Sequence, residues 1–403
     1  MKDAALHCVT GSMAVPVADA ASASAPAGRL AVRRLALTDF RGYASLRLES
    51  GIQPVVLTGP NGAGKTNLLE ALSLLAPGRG MRRARLDEID RRAGAKKTCW
   101  AVAASLATRR GPLEIGTGRD PEASADSPRR VVRIDGKPMR GQAELARLLS
   151  ILWVTPDMDR LFQEGTGGRR RFLDRLIYGA DPDHAGRVAA YDHALRERAR
   201  LLRDGIRDEA WLSALEAAMA EKGVAIAAAR RAFVRRLQEA LHLGIAPFPR
   251  ARVALRGNVE SWLDEAPALK VEDRFKTHLA ASRTQDIEAV GGLDGPHRTD
   301  LAVQHVENGM PAALCSTGEQ KALLIALVLA HARLLALEHS APPILLLDEV
   351  AAHLDHVRRT ALYDELRALG AQAWMTGTDE ALFESMGDNA RYFRVAGGEV
   401  APR

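Results

Sequence analysis

Pro54-Val55-Val56-Leu57-Thr58-Gly59-Pro60-Asn61-Gly62-Ala63-Gly64-Lys65-Thr66, followed by an apolar-periodic run over residues 67–75, is the stretch on which the fold turns. The first five residues read as a buried strand, and the next eight form a complete G-x-x-x-x-G-K-T loop. The run after it reads as a helix that Pro77-Gly78 ends. Strand, glycine loop and helix in this order predict an α/β domain that binds a polyphosphate. The glycines let backbone N–H groups turn inward, and the helix adds its positive N-terminus. Gly59, Pro60, Asn61, Gly62, Ala63, Gly64, Lys65 and Thr66 are therefore candidate ATP contacts. Lys65 would bridge the β- and γ-phosphates, and the Thr66 hydroxyl would hold Mg²⁺.

A second half of the same site lies far downstream. Ile344-Leu345-Leu346-Leu347 reads as a buried strand ending in Asp348-Glu349. Asp348 at the strand tip can reach the Mg²⁺ held by Thr66, and Glu349 is placed to orient or deprotonate the attacking water. Lys65 and Glu349 are thus the candidate catalytic residues. One helix earlier, Ser316-Thr317-Gly318-Glu319-Gln320-Lys321 opens a long apolar run. Two readings stand for it. A helix N-terminus suits a γ-phosphate, which makes Ser316, Gly318, Glu319 and Gln320 nucleotide contacts. The same residues also write an N-cap with Glu319 as its capping-box partner. Position one helix before the acidic strand favours the first. In ATP-binding-cassette folds such a motif completes the site of a partner copy, so ATP would join a two-fold homodimer and control assembly. Ala352-His353-Leu354-Asp355 stands where a D-loop would lie along that seam. Thr376 follows the last strand, where a hydroxyl would sense the γ-phosphate or the water. Gln163 is in the region of a Q-loop glutamine but reads as well as a surface residue.

The 403 residues suffice for two or three domains, and 47% hydrophobic with 26% charged residues is an ordinary globular balance. A net charge of +6 and pI near 9.4 favour polyanionic partners. Arginines cluster at Arg33-Arg34, over residues 79–85, and at Arg91-Arg92, Arg129-Arg130, Arg169-Arg170-Arg171, Arg230-Arg231 and Arg235-Arg236. Beside an ATPase motif these make nucleic acid the leading partner class. The triplet at 169–171 reads equally as an ion-pair site. Cys8, Cys99 and Cys315 are widely spaced, which fits a reducing cytoplasm and argues against structural zinc. No apolar run is expected to be long enough to span a bilayer: the nearest candidate, residues 322–337, is interrupted by His331 and Arg333 and predicts a core helix. Residues 1–28, rich in Ala, Ser, Val and Pro, predict a disordered leader, or an upstream start with Met13 as an alternative.

The expected fold is α/β: an ABC-type P-loop ATPase head with a mixed sheet, plus an inserted, mainly helical arm domain. Residues 29–160 would carry the first part of the head, 161–290 the arm, and 291–403 the second part. Short strands are expected around Phe40-Arg41-Gly42-Tyr43 and a hairpin at Asp135-Gly136. Helices are expected over residues 169–243.

Several strings are more specific than the phosphate loop. Asp39-Phe40-Arg41-Gly42-Tyr43, Gly78-Arg79-Gly80-Met81-Arg82, Pro156-Asp157-Met158, Arg169-Arg170-Arg171-Phe172-Leu173-Asp174 and Gly295-Pro296-His297-Arg298-Thr299-Asp300-Leu301 are quoted as they stand. With the loop, Ser316 to Lys321 and Asp348-Glu349, the chain after Arg29 resembles the RecF family of bacterial recombination-mediator ATPases. The resemblance implies a cytoplasmic DNA-repair protein that binds DNA, dimerises with ATP and hydrolyses it slowly. It implies work with RecO and RecR to help place RecA at single-strand gaps, and support of the SOS response. The leader and the Glu319 neighbourhood depart from familiar patterns, and nothing is carried over to the leader. A transporter ATPase would share the core but not the arm and arginine strings. A chromosome-structuring ATPase needs heptads over hundreds of residues, for which there is no room.

Overall fold

The computed structural model describes residues 29–91, 98–124, 127–139, 143–206, 208–288 and 292–403. The expected leader, Cys8, Arg92 and Gly291 lie outside them. The chain divides into two units, one of residues 1–156 with 335–403 and the other of residues 157–334.

In the first unit, β1 (Ala31–Phe40) and β2 (Tyr43–Glu49) form a hairpin, and β3 (Val55–Thr58) leads through the glycine loop into α1 (Lys65–Ser73). Then come β4 (Ala101–Thr108), β5 (Gly111–Arg119), β6 (Arg130–Ile134), β7 (Lys137–Pro138), α2 (Ala143–Leu148) and β8 (Ile151–Val154). One sheet has the order β2-β1-β4-β5-β6-β7 and is antiparallel throughout. The turn joining β6 to β7 is the expected Asp135-Gly136, with positive φ at both residues.

The second unit is mainly helical: α3 (Thr166–Tyr178), α4 (His184–Arg203), α5 (Glu209–His242), α6 (Asn258–Glu265), α7 (Ala268–Ala281) and α8 (Arg283–Glu288). The antiparallel pair β9 (Ala251–Arg256) and β10 (Asp300–His305), separated in the chain by α6, α7 and α8, belongs to the same unit. The 34-residue α5 starts at Asp208, whose side chain accepts from Trp211 N. Its apolar face packs on Tyr191 and Ala194 of α4, Val259 of α6, and Val271, Phe275 and Leu279 of α7. Gly223 permits this approach, since a Cβ there would meet Phe275 Cε1 at 2.8 Å and Tyr191 Cε2 at 3.2 Å. Burying a ring such as Phe275 stabilises by roughly 2–3 kcal/mol.

The unit boundary at Leu334 falls inside α9 (Thr317–His339). By length and composition this helix does qualify as a membrane span, which corrects the expectation that no run is long enough. Residues 320–332 are nonetheless all buried, as in a core helix.

Back in the first unit, β11 (Ile344–Leu347), α10 (His356–Leu369), β12 (Ala373–Gly377), β13 (Arg391–Ala396) and β14 (Glu399–Pro402) follow. They join strands from the other end of the chain in a mixed sheet of order β14-β13-β3-β12-β11-β8. β13, β3, β12, β11 and β8 are parallel, and β14 runs against β13. β3, β8, β11 and β12 are buried along their whole length, as strands covered on both faces are. The order is what matters for the site. β12 lies between the glycine-loop strand β3 and the acidic strand β11, so the carboxyl ends of all three converge.

Candidate functional site

At those carboxyl ends the glycine loop is shaped by close approaches. Gly59 has φ 149°, and a Cβ on it would lie 2.1 Å from the carbonyl oxygen of Val395 in β13. Gly64 has φ 110°, and its Cβ would lie 2.6 Å from the Tyr43 hydroxyl, which donates to the Gly64 carbonyl at 3.2 Å. No larger residue fits either position. Pro60, Asn61 and Gly62 are exposed and Ala63 half-buried, so the loop is open toward a ligand.

Lys65 is buried at 4% exposure, and its ammonium donates to the carbonyls of Gly59 (2.7 Å) and Pro60 (3.0 Å). Burial lowers its pKa from the ordinary lysine value, and the carboxylates of Glu349 and Asp348 act in the opposite sense. Thr66 Oγ1 donates to Asp348 Oδ1 at 3.1 Å, joining residues 282 positions apart. Asp348 is buried, and burial raises its pKa. The hydroxyls of Thr376 and Thr66 oppose that rise, Glu349 adds to it, and Arg82 opposes it. Glu349 is half-buried beside it with φ 53°, a left-handed conformation uncommon outside glycine.

One hydroxyl and one carboxylate fit Mg²⁺, which keeps several waters and phosphate oxygens rather than taking an all-protein cage. The buried ammonium over an open loop of glycines fits a polyphosphate.

Thr376 departs from expectation. It is 1% exposed, its hydroxyl donates to Asp348 Oδ1 at 2.7 Å, and it accepts from Glu349 N at 2.9 Å. Its hydroxyl proton and one of its two acceptor sites are thus engaged by the two acidic residues.

In the second unit, Ser316 and Gly318 are exposed at the start of α9. The capping box is present: Ser316 Oγ accepts from Glu319 N at 3.3 Å, and Glu319 Oε2 accepts from Ser316 N (2.9 Å) and Oγ (2.8 Å). Gln320 is turned inward at 1% exposure and donates to the Cys315 carbonyl at 2.8 Å. It braces the turn from beneath and does not line its surface, which leaves Ser316 and Gly318 exposed and Glu319 half-buried. Gln163 is exposed. Asp355 of the expected D-loop caps α10, accepting from Arg358 N at 2.8 Å.

Sequence reasoning missed the support beneath the loop. Glu70 of α1, 2% exposed, takes Arg41 bidentately (2.6 and 2.9 Å), and Arg82 joins it at 3.2 Å while also donating to Asn67 at 2.8 Å. The Asp-Phe-Arg-Gly-Tyr and Gly-Arg-Gly-Met-Arg strings therefore both anchor the phosphate-loop helix. Arg130, from β6, caps the other end of that helix through the carbonyls of Leu74, Ala76 and Gly78. No spacing signal marks these partners. A Gly-Gly pair at 397–398 did mark the β13–β14 hairpin that packs on Gly59.

The arginine clusters divide sharply. Arg169 pairs bidentately with Asp300 (2.7 and 3.1 Å), and Arg170 donates to the Thr299 carbonyl at 2.9 Å. Buried Arg230 grips Asp174 with two 2.8 Å bonds and the Pro296 carbonyl at 2.6 Å. Thus the Arg-Arg-Arg-Phe-Leu-Asp and Gly-Pro-His-Arg-Thr-Asp strings are stitched to each other inside one unit. Arg33, Arg171 and Arg235 are exposed.

Residues 31–400 match the family described as RecF/RecN/SMC N terminal domain. The chain is 48% identical over 373 residues to the DNA replication and repair protein RecF of Mesorhizobium japonicum, covering 92% of this chain and 97% of that protein. It is 50% identical over 374 residues to the protein of the same name from Brucella suis, covering 92% and 96%. In structure it is similar to the recombination mediator protein RecF-ATPrS of the RecFOR pathway, with a TM-score of 0.81 at 22% identity over 93% of this chain and 99% of that one. A Smc head domain with an extended coiled coil from Pyrococcus furiosus, solved bound to the C-terminal domain of ScpA, gives 0.52 at 16% identity over 93% and 96%. The structural likenesses speak for the fold, an ATPase head of the RecF and Smc kind. Near-half identity over almost the whole length speaks for more, and the chain belongs to the RecF family.

Proposed function

We propose that this chain is an ATP-switched DNA-binding protein of recombinational repair. Two copies are joined by nucleotide, each giving its loop residues 59–66, Asp348 and Glu349 to one ATP and its Ser316, Gly318 and Glu319 to the ATP of the other. The observation that carries the reading is the meeting of Thr66, Asp348 and Glu349 beside a buried Lys65, ready-made in one chain. The exposed, box-capped turn at Ser316 supports the second half, since it presents a helix N-terminus to a partner's phosphate.

On binding, Lys65 exchanges the carbonyls of Gly59 and Pro60 for phosphate oxygens. Mg²⁺, held by Thr66 and Asp348, supplies charge neutralisation at the phosphates when bound. Glu349 accepts the proton of the attacking water. Because the site is complete only in the dimer, hydrolysis is slow and serves to release it. Exposed arginines hold DNA through its phosphates. Relatives named for DNA replication and repair, and a neighbour named for the RecFOR pathway, support cytoplasmic work with RecO and RecR. The finer roles, aiding RecA at single-strand gaps and supporting SOS induction, belong to the same proposal.

Sedimentation tests it. A Glu349→Gln variant, which binds without releasing, should dimerise only with ATP, and adding Ser316→Arg should abolish the dimer. Its DNA binding should strengthen with ATP on duplex or gapped substrates and be lost in Lys65→Met. A Glu349→Gln protein that stays monomeric at saturating ATP sinks the proposal.

A further inference from the structure

Strand register puts a hydroxyl where the two acidic residues of the site can both use it. Leu345 pairs with Ala373, Leu346 with Trp374 and Leu347 with Met375, so the next residues along the two parallel strands are Asp348 and Thr376. Thr376 is 1% exposed, beneath the surface a nucleotide would touch.

The direction of its bonds follows from chemistry. A backbone N–H only donates, so the Thr376 oxygen, 2.9 Å from Glu349 N, is the acceptor there. The single hydroxyl proton is then committed to Asp348 Oδ1 at 2.7 Å. The same Oδ1 accepts the Thr66 hydroxyl at 3.1 Å. Glu349 meanwhile has φ 53°, which costs a residue with a Cβ about 1–2 kcal/mol unless something holds it. Its N–H bond to Thr376 is such a hold, and it comes from a neighbouring strand.

We infer that Thr376 is a positioning residue linking the Mg²⁺ ligand to the general base. One bond orients the Asp348 carboxylate, and the other keeps the Glu349 peptide in its left-handed turn, so a movement of the carboxylate is passed to the base. This rests on the nucleotide site proposed above and adds a residue to it that touches neither nucleotide nor water.

The test compares Thr376→Val, which replaces the hydroxyl by a methyl at nearly constant volume, with Thr376→Ser, which keeps it. ATP affinity measured in EDTA should be unchanged in both, because Lys65 and the loop amides are untouched. In valine, kcat should fall about tenfold or more with KM for ATP within about threefold, the loss expected for a hydrogen bond acting on charged groups. The Mg²⁺ concentration giving half-maximal ATP binding should rise several-fold. Serine should restore both. If valine does not fold, Thr376→Ala removes the same hydroxyl, and the comparison with serine stands.

A kcat and Mg²⁺ midpoint within about twofold of the parent in the hydroxyl-free variant overturn the inference. So does a serine variant as impaired as valine, which would assign the position to packing. A purely structural role would lower the melting temperature without moving the Mg²⁺ midpoint. Failure of the nucleotide site itself looks different: the unsubstituted protein would not bind ATP in either condition.

Discussion

Replacing Arg230 by Met asks whether the family's arginine strings hold the protein together or hold DNA. Arg230 is 3% exposed and makes three bonds, two at 2.8 Å to the Asp174 carboxylate and one at 2.6 Å to the Pro296 carbonyl. Asp174 is itself 6% exposed, with His184 Nε2 donating to it at 2.8 Å. Burial alone would push the Asp174 pKa up. The His184 hydrogen bond and the Arg230 charge outweigh it and hold the carboxyl below its ordinary value. Methionine keeps much of the stem's packing but strands that carboxylate. Breaking a buried pair in this way costs about 3–5 kcal/mol, against a typical total stability of roughly 5–15 kcal/mol. Adding Asp174→Asn removes the stranded charge, so the double variant should recover about half of the loss. Urea unfolding followed by far-UV circular dichroism reads both. DNA affinity at low denaturant should keep the salt slope of the parent, because a buried guanidinium releases no counterions. Stability within about 0.5 kcal/mol of the parent, together with a salt slope smaller by about one, would refute the structural assignment.

Two further outcomes follow from single contacts. Gly59→Ala should abolish ATP binding while leaving the second unit's unfolding unchanged, since its Cβ would sit 2.1 Å from the Val395 carbonyl oxygen at φ 149°; fluorescent-nucleotide titration at near-parental affinity would contradict the geometry. His297 is half-buried and its pKa is lowered to about 4 by desolvation, with Nε2–H donating to Gly292 O (3.3 Å) and Nδ1 accepting from the Tyr191 hydroxyl (2.8 Å). The native state thus binds fewer protons than the unfolded chain between pH 6.5 and 4, so this contribution is intact above pH 6.5 and is lost as pH falls toward 4. The loss is at most about 3 kcal/mol, and His297→Gln should flatten that part of the stability profile; an unaltered profile would point to other groups.

What was legible in the sequence is what local chemistry enforces. β3 and β11 announce themselves because strands covered on both faces must be continuously apolar, and the loop between β3 and α1 because only glycine adopts its backbone. From these the α/β head, the nucleotide loop and the acidic pair were all readable. Orientation was not. Gln320 reads as part of an exposed turn, but the run that follows is apolar on every side over residues 322–330, so no amphipathic phase tells which residue of the first turn of α9 points inward. The arginine strings left two readings open, phosphate or ion pair, for a different reason. Arg169 and Asp300 lie 131 residues apart, and a guanidinium paired inside a fold has the same sequence signature as one that meets phosphate.

Thr376 shows why the missing information is topological. Its place near the end of a strand was readable, although the structure puts it inside β12 and not after it, and a hydroxyl there suggested a sensor. What decides its role is that β12 is inserted between β3 and β11, an order of strands that no local pattern encodes. Given that order, a parallel register places residue 376 against residue 348, and a slip of one position would turn the hydroxyl to the other face of the sheet. The same order brings Thr66 and Asp348 together across 282 residues. A nucleotide site assembled this way can form only after both ends of the chain have joined the sheet, so an ATP-binding head reports on the completed fold.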